Sequence, residues 1–177
     1  MLKIGPKHRI CRRVGEAVCG RPNCAVNKRP YPPGQHGQGR RRLSEYHLRL
    51  LEKQKLRAMY GVTETQFRRY FNEANRHKGV TGSELLRLLE TRLDAVVLRM
   101  GFAQTMRQAR QLVSHGHFTV NGRRINVPSY QVREGEAIAA TPAAKNFLSR
   151  PEATFLDLVP AERGAPDGSR SGEQGVP

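Results

Sequence analysis

Four side chains near the N-terminus have the types and the spacing of a metal site. His8, Cys11, Cys19 and Cys24 fall within seventeen residues, in the pattern His-x2-Cys-x7-Cys-x4-Cys. Zinc in proteins takes four such nitrogen and sulfur ligands at the corners of a tetrahedron. The pattern therefore predicts one zinc ion, and it favours zinc over an iron–sulfur cluster because a histidine ligand is unusual in the commoner clusters. The alternative is three free or buried thiols beside a solvent-facing histidine.

A proline-rich loop follows the cysteines and has the composition of a nucleic-acid contact. Residues 30–37 read PYPPGQHG, in which prolines stiffen the backbone and glycines allow another chain to come close. Tyr31 and His36 could stack on bases, and Gln35 could hydrogen-bond to a base edge. A rigid structural turn is the alternative. A basic run follows directly and extends the candidate RNA contact: Arg40, Arg41 and Arg42.

Residues 44–90 contain three amphipathic stretches that predict a helical domain. The first spans residues 44–60, the second opens at Thr63 with Gln66 as its capping-box partner, and the third starts at Thr81 with Glu84 three residues on. Apolar residues at helical spacing are the expected core: Leu48, Leu51, Leu56, Met59, Phe67, Tyr70, Phe71, Leu85, Leu86, Leu88 and Leu89. Basic residues on the same helices are the expected phosphate contacts: Lys53, Lys55, Arg57, Arg68 and Arg69.

Residues 91–140 predict a small unit of two helices packed on a short antiparallel sheet. Asp94 is a good N-cap for the first helix, and Thr105 with Gln108 predicts a capping box at the start of the second. The second helix has an apolar stripe that should be buried: Ala109, Leu112 and Val113. Asn121-Gly122 is a strong hairpin signal. Basic groups surround the helix end and the hairpin, as suits a phosphate-rich RNA partner: Arg107, Arg110, His115, Arg123 and Arg124.

The charge of the chain points to a polyanionic partner. Its 177 residues hold 31 Lys and Arg against 15 Asp and Glu, a net charge of +16, with a pI near 10.8. No apolar run approaches the length of a membrane span, and no apolar stretch follows Met1 as in a signal peptide. We therefore expect no membrane contact and a cytoplasmic location. The sequence has no Gly-rich phosphate loop and no nucleophile–base spacing, so we expect no enzyme activity.

Residues 92–140 resemble the small RNA-binding module named after small-subunit ribosomal protein four. Three upstream stretches are similar to the bacterial-type family of that ribosomal protein: RPYPPGQHGQGRRR (29–42), EKQKLRAMYGVTETQFRRYF (52–71) and KGVTGSELLRLLETRLD (78–94). The likeness covers about residues 4–140. It implies a structural constituent of the small ribosomal subunit, a primary binder of ribosomal RNA that nucleates subunit assembly.

The family resemblance also implies particular partners. It implies contact with the 5′ domain of small-subunit ribosomal RNA and with neighbouring small-subunit proteins that tune decoding accuracy. Basic residues that match Arg40 to Arg42 imply contact with messenger RNA where it enters the ribosome. Many family members carry four cysteines at the N-terminal knuckle, and His8 stands where one of them is usual.

Together these patterns predict an α+β fold in consecutive parts. A basic segment with the metal knuckle spans residues 1–43, and a helical domain spans 44–90. These two parts form the first domain, which residues 145–160 could join, and the RNA-binding module spans 91–140. Residues 163–177 are rich in Gly, Pro, Ser and charge, and we expect them to be disordered. Beyond Lys145 the sequence departs from the family pattern, so the alternative is a non-ribosomal RNA-binding relative with a regulatory or stress role.

Overall fold

The computed structural model describes residue 6 and residues 8–39 and 44–147. These residues form seven α-helices, a three-stranded antiparallel sheet and a 3-10 helix, which confirms the predicted α+β class. The helices are α1 (Arg9–Val14), α2 (Ala25–Lys28), α3 (Glu45–Met59), α4 (Glu64–Ala74), α5 (Thr81–Glu90), α6 (Leu93–Arg99) and α7 (Met106–Ser114). The strands are β1 (Phe118–Val120), β2 (Arg123–Ile125) and β3 (Ile138–Ala140), and the 3-10 helix is Pro142–Phe147.

Several predicted features fall outside this range. The arginine run 40–42, the tail 163–177 and most of the segment 145–160 lie outside the described residues. Within the described part, no helix combines the length and the apolar character that crossing a membrane requires.

A small buried cluster between two short helices holds the N-terminal segment (residues 8–29) together. Cys11 in α1, Cys24 directly before α2 and Val26 within α2 are buried. Val18 and Cys19 pack partly against this cluster. Three buried side chains give little hydrophobic stabilisation for a segment of this length, so it needs a further cross-link to stay ordered.

α3 begins where the sequence predicts but is more exposed than expected. Ser44 caps it, since its Oγ accepts a hydrogen bond from the N–H of His47. No residue of α3 is buried, and the expected core positions Leu48 and Met59 are 49% and 44% exposed. The prediction for these two positions is wrong because α3 packs mainly on the short α1, which cannot cover its whole apolar face.

α4 and α5 pack against each other and form the larger core of the N-terminal part. Thr63 and Gln66 make the predicted reciprocal capping box at the start of α4. Thr81 is the first residue of α5, as predicted, and the N-cap is Val80, which has no side-chain capping bond. Phe71 and Leu86, also expected inside, remain about half exposed at the edge of the contact. The buried residues of this core are Tyr60, Val62, Phe67, Ala74, Leu85, Leu88, Leu89 and Ala95.

Residues 91–140 form the predicted pair of helices on an antiparallel sheet, with strand order β2-β1-β3. The Asn121-Gly122 turn joins β1 to β2, and its φ angles of 49° and 77° are the two positive values that this tight hairpin needs. Thr105 caps α7 as predicted, but the Gln108 side chain accepts from the N–H of Gln104 and not from that of Thr105, so the predicted capping box does not form. The predicted buried stripe of α7 is confirmed at Ala109, Leu112 and Val113. This stripe packs with Leu93 and Val97 of α6 and with Phe118 of β1 in one hydrophobic core.

Asp94 departs most from the prediction for this unit. It is not the N-cap of α6, which begins at Leu93 after the N-cap Arg92. Its carboxylate is fully buried and accepts two hydrogen bonds from the guanidinium of Arg92, at 2.9 and 2.6 Å. The local pattern fits a cap, but burial in the tertiary structure gives this carboxylate a charged partner instead.

The parts on either side of residue 91 are packed against each other. Ala95 of α6 lies within the core of α4 and α5. Arg110 of α7 donates a hydrogen bond to the carbonyl of Gly61 at 2.7 Å. These contacts fix the orientation of the module relative to the helical part. The division into a first domain, made of residues 1–43 and 44–90, and a module at 91–140 stays a prediction.

Candidate metal centre and nucleic-acid surface

The four predicted metal ligands meet in one cluster. The ligand atoms of His8, Cys11, Cys19 and Cys24 all lie within 4.8 Å of one another. The Nδ1 of His8 lies 3.7 Å from the Sγ of Cys19 and 3.5 Å from the Sγ of Cys24. The fold produces this arrangement because α1 carries Cys11, α2 begins after Cys24, and the two helices pack together.

The donor set and its spacing fit a zinc ion. A tetrahedral zinc ion with Zn–S of about 2.3 Å and Zn–N of about 2.0 Å holds a nitrogen and a sulfur ligand about 3.6 Å apart. The distances of 3.5 and 3.7 Å from the His8 nitrogen to its two neighbouring sulfurs are close to that value. Thiolate and imidazole ligands also select zinc over cations that prefer oxygen, such as magnesium or calcium.

Burial and hydrogen bonding set the acidity of two of the thiols differently. Desolvation raises the pKa of the Cys11 thiol to about 11, and hydrogen bonds with Cys19 and Cys24 add to the effect. Burial also opposes ionisation of Cys19, but hydrogen bonds from the backbone of Arg21 and from the other two thiols outweigh it and lower its pKa. Cys19 is therefore the more ready of the two to become a thiolate, and a metal ion must displace the proton of Cys11.

The proline-rich loop (residues 30–37) is anchored by Arg12, which directly follows the candidate ligand Cys11. The Nε of Arg12 donates to the carbonyl of Tyr31 at 3.0 Å, and its guanidinium lies over the Tyr31 ring, 4.9 Å from the centroid. Gln35 and His36 are exposed at the tip of the loop, where a partner can reach them. Sequence reasoning missed Arg12, because nothing in the pattern distinguishes it from the neighbouring arginine.

Three predicted phosphate contacts have acidic partners within the protein. Lys53 and Arg57 both form ion pairs with Glu64, and the distance for Arg57 is 2.8 Å. Lys55 forms an ion pair with Glu16 at 2.6 Å. Hydrogen bonds from Lys53 and then from Arg57 hold the pKa of Glu64 below its usual value. Glu64 and Glu16 partly neutralise these cations, which weakens their attraction for an external phosphate.

Four predicted contacts have side chains that make no ion pair or hydrogen bond with any residue that the structure describes. They are exposed, and they lie on α4, α7 and β2: Arg68, Arg69, Arg107 and Arg123. Their charge is available to an external anion. Because they lie on both sides of residue 91, the helical part and the module each present free cations.

Two other predicted contacts have structural partners in the protein. Arg110 donates to Gly61, as described above. Arg124 donates from Nε to the carbonyl of Gly116 at 2.8 Å and from its terminal nitrogen to the carbonyl of His115 at 2.9 Å. These carbonyls follow the last turn of α7, so Arg124 caps the C-terminal end of that helix. Gly116 has a φ of 70°, a conformation that other residues rarely adopt, and a β-carbon there would also push against the Arg124 guanidinium, 2.3 Å from its Nε.

The end of α7 also forms a shallow polar depression. It is lined by Ser114, His115, Arg124 and Asn126. His115 is exposed, and its ring centroid lies 6.0 Å from that of His117. The exposed imidazole is therefore accessible to a phosphate, and its role in RNA binding stays a prediction.

Adjacent arginines in β2 should differ in their effect on stability. Arg124→Ala removes two charged hydrogen bonds at the end of α7 and should lower the free energy of unfolding by about 1–2 kcal/mol. Arg123→Ala removes an exposed side chain without a described partner and should change it by less than about 0.5 kcal/mol. Denaturant unfolding of both variants measures the difference, and equal stabilities would contradict the capping role of Arg124.

Two protein-family models match consecutive parts of the chain. The ribosomal protein S4/S9 N-terminal domain matches residues 3–90, and the S4 domain matches residues 91–138. The two matches meet between α5 and α6, where the helical part joins the module. A helical part followed by an S4 domain with exposed arginines defines an RNA-binding protein of the S4 class.

The similar proteins identify the family within that class. Small ribosomal subunit protein uS4 of Thermus thermophilus is 59% identical over 151 residues, which is 81% of this chain and 72% of the relative. The proteins of the same name from Pelotomaculum thermopropionicum and Gloeobacter violaceus are 55% and 51% identical, over 80% and 88% of this chain and 74% and 79% of the relatives. The chain belongs to the family of small ribosomal subunit protein uS4, which confirms the resemblance seen in its sequence.

Proposed function

We propose that this ribosomal protein binds the RNA of the small ribosomal subunit and holds RNA helices in place as a scaffold. The observation that carries the proposal is the set of exposed, unpaired arginines on both sides of residue 91. Because the two parts are packed together, these cations are held at a fixed separation. They can bind phosphates of two RNA helices at once and thereby fix the angle between the helices. The protein acts by binding and orientation and catalyses no reaction.

We further propose where on the ribosomal RNA the protein binds and which partners it contacts. It binds the 5′ domain of the small-subunit RNA, where binding nucleates assembly, and the loop residues Tyr31, Gln35 and His36 contact RNA bases. Arg40 to Arg42 contact messenger RNA where it enters the ribosome. Neighbouring small-subunit proteins bind other surfaces, and these contacts contribute to decoding accuracy in the cytoplasm. Membership of the uS4 family and the net charge of +16 support these assignments.

We also propose that the metal centre holds one structural zinc ion. His8, Cys11, Cys19 and Cys24 would be its four ligands. Their clustering within 4.8 Å, and the agreement of the distances from His8 to Cys19 and Cys24 with a tetrahedral site, support the assignment. Bound there, zinc supplies a cross-link between α1, the connection that follows it and the start of α2. This cross-link compensates for the small apolar cluster of the N-terminal segment.

Binding to defined RNAs tests the scaffold. The purified chain should bind a transcript of the 5′ domain tightly, with log affinity falling steeply as log salt concentration rises, and random duplex RNA should compete weakly. Equal competition, or affinity that does not depend on salt, would contradict the proposal. On purified ribosomes the chain should remain with the small subunit after a high-salt wash, whereas its release would favour the non-ribosomal RNA-binding role.

The unpaired arginines should dominate the salt dependence. Arg68→Ala and Arg69→Ala should each weaken ribosomal-RNA binding and reduce the slope of log affinity against log salt by about 1, because each removes a phosphate contact. Arg87→Ala is the matched control: it removes the same charge from an exposed helix position where Arg87 is already paired with Glu84 at 2.6 Å. Titrations at several salt concentrations measure the slopes. A slope that changes as much in the control as in the α4 variants would show that net charge alone drives binding.

A further inference from the structure

Arg12 lies between the metal centre and the proline-rich loop. It is part of α1 and directly follows Cys11, which is 1% exposed within the ligand cluster. Its side chain contacts Tyr31 and Pro32, which lie 19 and 20 residues further along the chain. One short helix therefore carries both a candidate metal ligand and a contact to the loop.

The contact between Arg12 and the loop has three components. Its Nε donates to the carbonyl of Tyr31 at 3.0 Å, and its terminal nitrogen donates to the carbonyl of Pro32 at 3.4 Å. Its guanidinium carbon lies 4.9 Å from the centroid of the Tyr31 ring, the distance of a cation–π contact. Only the planar fork of an arginine can make these contacts together, since a lysine ammonium lacks both the fork and the flat face.

Besides the two hydrogen bonds from Arg12, the proline-rich loop has one hydrogen bond to the rest of the described chain. In that bond the N–H of Gly39, just beyond the loop, donates to the carbonyl of His36. Inside the loop, the N–H of Gly37 donates to the carbonyl of Gly34 at 3.1 Å. Gly37 also lies so close to Pro32 that a β-carbon at Gly37 would be 1.9 Å from the Pro32 carbonyl oxygen. This one described hydrogen bond inside the loop is weak support by itself. Both the closure of the loop and its placement against the protein therefore depend on Arg12 and on the chain that leads into it from α2.

The position of Arg12 in turn depends on how α1 is held against α2. The described apolar contacts between these helices come from the cluster of Cys11, Cys24 and Val26, with Val18 and Cys19 partly buried beside it. The three cysteines of this cluster are also candidate metal ligands. Cys11 lies on α1, Cys19 lies in the connection after it, and Cys24 lies directly before α2. A metal ion bound by them fixes α1, and with it Arg12, relative to the chain that enters the loop.

We propose that Arg12 is a positioning residue that couples metal occupancy to the placement of the proline-rich loop. The bound metal fixes α1, and Arg12 holds Tyr31 and Pro32 so that Gln35 and His36 point outward as a preformed RNA contact. The consequence for RNA rests on the proposed function, whereas the coupling itself is a property of the free protein.

Hydrogen exchange of the intact chain, followed by NMR without RNA, tests the coupling. In the wild type with one equivalent of Zn²⁺, the amide of Gly37 should be protected, and removal of the zinc by a chelator should speed its exchange by about fivefold or more. In Arg12→Lys, exchange at Gly37 should already be fast with zinc bound, and the chelator should change it little. Zinc content should remain about one equivalent, because no ligand is altered.

Arg13→Lys is the matched control, because Arg13 is the exposed neighbour on α1 and has no partner among the residues described. It should behave as the wild type in every arm. Wild-type Gly37 exchange that does not respond to the chelator would overturn the coupling, and wild-type exchange in Arg12→Lys would overturn the role of Arg12. A separate titration with ribosomal RNA should show lower affinity for Arg12→Lys but an unchanged salt slope, since the charge is kept. Unchanged affinity with fast Gly37 exchange would leave the coupling intact and contradict only the proposed RNA contact of the loop.

Discussion

Replacing Asp94 with alanine should lower the free energy of unfolding by about 3–5 kcal/mol, because it leaves a buried guanidinium without its carboxylate. Asp94 and Arg92 are both fully buried, and their two hydrogen bonds measure 2.9 and 2.6 Å. Burial by itself lowers the pKa of Arg92, but the hydrogen bonds and charge of Asp94 outweigh it and raise that pKa, so Arg92 stays charged. Denaturant unfolding should show the loss, together with a melting temperature roughly 10 °C lower.

Two further variants separate the buried pair from ordinary surface electrostatics. Glu84→Ala removes the surface pair with Arg87 and should cost less than about 1 kcal/mol. The double variant Arg92→Met, Asp94→Leu removes both buried charges and should recover much of the stability that Asp94→Ala loses. If Asp94→Ala lowers the free energy of unfolding no more than Glu84→Ala does, the buried pair stabilises the protein no more than a surface pair.

The same pair lies at the junction between the two parts of the protein. Arg92 also donates to the hydroxyl of Tyr70 in α4 at 2.9 Å, and its guanidinium carbon lies 5.7 Å from the centroid of that ring. The pair therefore ties the start of the module to the helical part. Because a scaffold depends on the fixed angle between its RNA-binding surfaces, loss of Asp94 should also weaken ribosomal-RNA binding at temperatures where the variant is still folded.

The features that the sequence predicts correctly depend on residues close together in the chain. The capping box of Thr63 and Gln66 joins positions three apart. The Asn121-Gly122 turn needs only two residues that tolerate positive φ. The clustering of the four candidate metal ligands follows in the same way from residue types at short spacing, and the structure brings all four together.

The features that the sequence does not predict depend on distant contacts. Lys55 and Arg68 look alike as basic residues on predicted helices, but only the fold shows that Lys55 is paired with Glu16. Asp94 has the sequence context of a helix cap, and its actual role depends on burial and on Tyr70, 22 residues from Arg92. Similarly, Leu48 has the helical spacing of a core residue, but its burial depends on whether another element covers α3.

Replacing Cys24 with serine should abolish stoichiometric zinc binding and unfold the N-terminal segment, while the cores around α4–α7 stay folded. The reason is that the buried cluster of this segment is small and Cys24 is both a ligand and a member of it. Without the metal, too little apolar surface is buried to offset the entropy of ordering the segment. Elemental analysis should find about one zinc per wild-type chain and almost none in the variant, and hydrogen exchange should show the loss of protection in residues 8–29.

The pH dependence of zinc binding follows from the thiols. With its pKa raised to about 11 by desolvation, the Cys11 thiol of the metal-free protein carries its proton at neutral pH. Zinc binds the thiolate, so binding releases that proton, and affinity should fall by about tenfold for each pH unit of acidification per proton released. A zinc titration between neutral and mildly acidic pH measures this slope, and an affinity that does not change with pH would show that Cys11 is not a ligand.

Val18→Ala separates the loss of a ligand from the loss of packing. Val18 is partly buried beside the cluster but offers no metal ligand, so the variant should keep its zinc and most of its exchange protection. Cys24→Ser removes less apolar volume than Val18→Ala and yet should have the larger effect, because a tetrahedral site loses one of its four bonds. If residues 8–29 stay protected in Cys24→Ser, or in wild-type protein stripped of metal, then packing alone orders this segment and the three cysteines are structural thiols.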